Sequence, residues 1–102
     1  MGKLIIQQGD CILEKVSEIP ESAKKFKFTG VVLKGEGVNT HEIAVSGVET
    51  YEQDGVLYLK IDKKTSLVHQ EHGTQVVLPG IYKRIIEREF SYEDEEARNV
   101  RD

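Results

Sequence analysis

Only one cysteine, Cys11, occurs in this chain, so no internal disulfide can form. Its place between Asp10 and Ile12, at the head of an apolar run, predicts a partly buried thiol in a reducing compartment. No apolar run is long enough for a membrane span. The N-terminal one reaches only Leu4, Ile5 and Ile6 before turning polar, which is also too short for a signal peptide. An acylation pattern beginning at Met1 and Gly2 fails because Ile6 stands where Ser or Thr is needed. The expectation is a cytoplasmic protein with no membrane partner.

Charge of one sign is equally scarce. The formal net charge is -4, and the densest basic stretch is Lys24, Lys25 and Lys27. Nucleic acid, which needs a concentrated positive field, is not an expected partner. The Gly-rich segment GEGVNTH has neither the GxGxxG nor the GxxxxGK spacing, and no helix follows it to receive a phosphate. Ser66 and Thr65 lie near His69 but lack the strand, nucleophile turn and helix of an activated serine. Nowhere do apolar residues recur at the helical period over a normal helix length.

What remains is a succession of short strand patterns separated by turn signals. They fall at Leu4–Gln7, Cys11–Val16, Phe28–Lys34, from His41 to Ser46, at Val48–Glu52, Val56–Ile61, Thr65–Gln70, Thr74–Leu78 and Ile81–Phe90. Asp54 and Gly55 mark a tight hairpin. Pro20 ends one strand and Pro79 with Gly80 breaks another. Glu18 to Lys27 is the segment with the least regular pattern. The chain is expected to be one all-β domain over residues 1–102, a small barrel or sandwich, with an acidic tail from about residue 91.

The three histidines carry the chemistry. On a strand, His41 shares a parity with Ile43 and Val45 and so falls on the more apolar face. His69, Glu71 and His72 precede Gly73. His41, His69 and His72 with Glu71 make a candidate metal set, with Glu42 as an alternative carboxylate. An unbroken strand would turn His72 away from His69 and Glu71. Convergence therefore requires a bulge, or a turn at Gly73. Zinc, manganese, nickel or iron would suit such a site, and Glu71 or Glu42 would be the candidate base for metal-assisted hydrolysis or isomerisation. The competing expectation is a non-catalytic interaction module, a homodimer or a partner-binding protein.

Several stretches resemble a family of small bacterial and phage proteins with no established activity. They are Gln8 to Leu13, matching QGDVLL; Asn39 to Glu42, matching Gly-His-x-His; His69 to His72, matching His-x-Glu-His; Leu78 to Gly80, matching a Leu-Pro-x-Gly turn; and Arg88 to Phe90, matching Arg-Glu-Tyr. Asn39 replaces the first histidine of the second motif and His41 keeps the other. The resemblance implies either a lost ligand or an oxygen contact from Asn39. The motif order is also loosely similar to that of the cupins, small β-barrels that hold a metal with histidines and a glutamate. Ile43, however, stands where a cupin has its next histidine.

Overall fold

The computed structural model describes residues 4–34 and 39–87. Ten strands follow one another: β1 (Ile5–Gln8), β2 (Cys11–Val16), β3 (Lys24–Phe26), β4 (Val31–Lys34), β5 (Thr40–Ile43), β6 (Val48–Gln53), β7 (Val56–Ile61), β8 (Thr65–Val68), β9 (Gln75–Val77) and β10 (Gly80–Ile86). They form two antiparallel sheets, β1-β2-β10-β7-β6-β3 and β4-β5-β8-β9. No helix among the described residues is long and apolar enough to cross a membrane.

Alternation decides which side chains meet between the sheets. The larger sheet turns Cys11, Leu13, Leu57, Leu59, Ile61 and Tyr82 inward, and the smaller turns Val32, Leu33, Ile43, Leu67 and Val77 toward them. A register shift between Val31 and Leu33 opposite β5 marks a bulge. It lets the consecutive residues Val32 and Leu33 both enter the core.

Two tight turns follow directly from sequence. Asp54 and Gly55 both have positive φ (52° and 81°) and join Gln53 to its partner Val56. That is the backbone twist an Asp-Gly hairpin supplies. Gly9, at φ 60°, is the first of the two residues linking Gln8 to its partner Cys11, the position that a type II′ turn reserves for glycine.

The segment with the least regular pattern contains a strand. Lys24, Lys25 and Phe26 pair with Glu52, Tyr51 and Thr50 of β6, and the Thr50 hydroxyl donates to the Phe26 carbonyl. All three β3 residues are exposed, so this edge strand carries no hydrophobic alternation for a sequence reading to find. One of its lysines faces a carboxylate: Lys25 Nζ lies 3.5 Å from Glu49 Oε2. Tyr51's hydroxyl and Lys25 together hold the Glu49 carboxyl below its ordinary range. The expected acidic tail from residue 91, and the end of the last predicted strand beyond residue 87, lie outside the described residues.

Candidate functional site

The site begins with Gln8, the last residue of β1. It is inward-facing and 2% exposed, an unusual position for a polar side chain unless its hydrogen bonds are made inside. Its amide nitrogen donates to the Leu67 carbonyl (2.8 Å) and to the Gly73 carbonyl (2.8 Å). Those two acceptors fix which way round the amide sits, and its oxygen lies 2.9 Å from His41 Nδ1. Nδ1 must therefore carry the proton, and in the neutral ring the lone pair belongs to Nε2.

His41 itself is 1% exposed, on the inward face of β5 beside Ile43, as its strand parity predicts. Nε2 lies 3.4 Å from Oδ1 of Asp10, the second residue of the β1–β2 turn. Burial pushes the His41 pKa below the usual imidazole range and the neighbouring His69 adds to the effect, with the Asp10 carboxylate pulling the other way.

The other two histidines arrive from the β8–β9 connection. β8 ends at Val68, earlier than the predicted Gln70, so His69 and His72 sit in a loop and strand alternation does not govern them. Gly73 is not among the glycines with positive φ. It is polar anchoring that shapes the loop: the Thr40 amide donates to Gln70 Oε1 (3.0 Å), and Gly73 is clamped by Gln8.

The ring centroids of His41 and His69 are 4.3 Å apart, those of His69 and His72 4.6 Å, and those of His41 and His72 6.1 Å, nearly parallel at 9°. His72 lies directly over Gly9, where a Cβ would come within 2.6 Å of its Nε2. Gly9 is thus required both by its φ and by the ring above it.

The two glutamates take no part in this convergence. Glu42 alternates with His41 on β5 and so projects from the opposite face, where its carboxylate accepts from the Thr40 hydroxyl. Glu71 is exposed, and only its backbone amide reaches the cluster, donating to His69 Nδ1 (2.9 Å). That bond occupies the Nδ1 lone pair and puts the proton of neutral His69 on Nε2, which therefore has no pair to offer a ligand. Among the described residues, no three His, Cys, Asp or Glu side chains form a group that could hold a metal ion as they stand.

Cys11 is fully buried in the core rather than partly so. Burial pushes its thiol up to about 12, against the opposing pull of Arg84, so it is no nucleophile at neutral pH.

Sequence reasoning singled out the histidines, but Gln8, Gly9 and Asp10 entered it only within the motif Gln8–Leu13 and were given no part in the site. One signal was present: Gln8 shares the inward parity of Ile6, and a long amide at such a position implies internal partners.

Fold and site together define an antiparallel two-sheet β-sandwich with three clustered imidazoles beside one hairpin turn. The chain belongs to a family described as a domain of unknown function (DUF8820), whose model matches residues 7–87, from the strand bearing Gln8 to the end of β10. Comparison with curated proteins and with solved structures gives no match.

Proposed function

We propose that this domain binds a divalent transition metal in the histidine pocket. The observation that supports this reading is the meeting of three imidazoles from two remote segments, with His41 held by Gln8 in the tautomer that leaves Nε2 able to ligate. An N–H donated to a fixed acceptor is the usual support of a metal-bound histidine. Zinc, manganese, nickel and iron all accept imidazole nitrogen. Binding also calls for adjustment: His69 can join only by releasing the Glu71 amide, and the exposed His72 ring must turn. The likeness to cupins then concerns only the sharing of one pocket by a strand histidine and later loop histidines. A reducing cytoplasmic setting suits the unpaired Cys11.

Elemental analysis of protein purified without a histidine tag, followed by zinc titration of the metal-free form, tests the proposal. A stoichiometric metal lost in His41→Ala supports it. Protein that neither carries nor takes up any of the four metals removes it.

A second reading, a non-catalytic homodimer, is favoured by the position of β1. Among the described residues this edge strand bonds to β2 alone, and its outward Ile5 is 55% exposed. Two such edges can pair about a two-fold axis. Light scattering that returns the monomer mass at every concentration would exclude it.

A further inference from the structure

Among the described residues the two sheets are unequal, six strands facing four, so part of the larger sheet's inner face has no strand above it. Pairing shows where this lies. Phe26 stands opposite Thr50 and Lys24 opposite Glu52, while Thr50 and Glu52 stand opposite the core residues Leu59 and Leu57. All of them therefore share the inward face, yet Phe26 is 43% exposed. At this corner Phe26, Val31, Glu52, Gly55, Leu57 and Arg84 line an open cleft of about 250 Å³. Pockets for drug-sized ligands run from roughly 300 to 1,000 Å³, so this one suits a smaller molecule.

Arg84 lies on the same face, opposite the buried Leu13. Its Nη1 donates to the Val32 carbonyl, which fixes the plane of the guanidinium. Nε is buried with no hydrogen-bond partner among the described residues, and a buried donor without an acceptor is costly to keep. In a planar guanidinium Nε–H runs parallel to one N–H of Nη2, the fork that grips a carboxylate. Arg84 is the one basic side chain in the lining, and Glu52 shares the wall with it. One guanidinium matches a monoanion, whereas a phosphate dianion would meet the Glu52 carboxylate with no second cation in the lining.

We infer that this cleft binds a small monocarboxylate with an aliphatic or aromatic body, its carboxylate held by the Arg84 guanidinium and its body by Phe26, Val31 and Leu57. None of the lining residues belongs to the histidine pocket, so the inference stands whether or not that pocket takes a metal.

The experiment is titration of the full chain with isocaproate and hydrocinnamate, each against its primary amide and against inorganic phosphate, followed by proton–nitrogen NMR. At least one acid should bind saturably and move the backbone signals of Phe26, Val31, Gly55 and Leu57 together with the Arg84 Nε–H signal. It should bind at least about 10-fold more tightly than its amide, the least that a hydrogen bond to a charged group contributes. Arg84→Met should lower the acid's affinity to that of the amide.

No saturable binding by either acid, an amide bound as tightly as its acid, or a preference for the acid that survives in Arg84→Met overturns the proposal. Phosphate moving the same signals when neither acid does overturns it too. Should Arg84→Met fail to fold, the wild-type Arg84 Nε–H signal decides: it should move as the acid saturates the cleft, and a signal unmoved at saturation overturns the assignment.

Discussion

Gly9 answers to two constraints that can be separated by measurement. Its φ of 60° costs any other L-residue about 1–2 kcal/mol, and the His72 ring adds a steric cost because a Cβ would come within 2.6 Å of Nε2. Gly9→Ala should therefore destabilise the wild type more than it destabilises a His72→Ala background, by a coupling of at least about 0.5 kcal/mol. Urea midpoints of the four proteins give that number. Equal losses in both backgrounds would mean that His72 does not rest on the turn.

Cys11 offers a prediction of a different kind. Its thiol ionises at about 12 when folded, against a reference of 9.0. The folded state holds the proton more tightly, so the stabilising contribution is complete below pH 9 and is lost as pH rises from 9 toward 12. A thiol reagent at pH 8 should leave the native protein unmodified and label it on unfolding. In Cys11→Ala the alkaline loss of stability should be shallower.

At the level of elements, the Asp54-Gly55 hairpin was legible in full because turn chemistry is local: both φ values are positive, and Asp and Gly are the residues that allow it. Gly55 at φ 81° has no atom within 4 Å of a Cβ position, so Gly55→Ala reports backbone strain alone. A loss of about 1 kcal/mol, read from denaturant midpoints, is expected. A neutral result would mean that the turn relaxes to another type.

Other elements were legible in proportion to their burial. β2 and β7 match the predicted bounds because inward positions such as Leu13 and Leu59 impose alternation. β3 was missed because Lys24, Lys25 and Phe26 bury nothing that could mark a period. The histidine loop lay between these cases. Its composition named the residues, yet its path depends on Gln70 reaching Thr40 and on Gln8 reaching Gly73, contacts with remote partners that no local pattern encodes.

Among the described residues, Gln8 and Arg84 each make a polar bridge between the two sheets, and the two are of opposite character. Near β1, Gln8 spans to the smaller sheet with its amide satisfied on both sides: two carbonyls accept from its nitrogen, and His41 donates to its oxygen. From β10, Arg84 sends a guanidinium nitrogen to the Val32 carbonyl (2.8 Å). Its Nε, however, is buried with no hydrogen-bond partner among the described residues.

An unmade bond costs more than a made one contributes, so truncating the two bridges should have unequal effects. Gln8→Leu keeps similar bulk but orphans the Leu67 carbonyl and the His41 N–H in the interior, at on the order of 3 kcal/mol. Arg84→Met orphans one carbonyl, while removing a partly buried charge and a buried donor without a partner among the described residues. Replacing such groups by apolar ones of similar shape is often close to neutral, and a loss below about 1 kcal/mol is expected. Chemical denaturation of both variants checks the order. If Arg84→Met proves the costlier change, the sheets are held together chiefly from the β10–β4 side, and the Gln8 network serves the histidine pocket more than the fold.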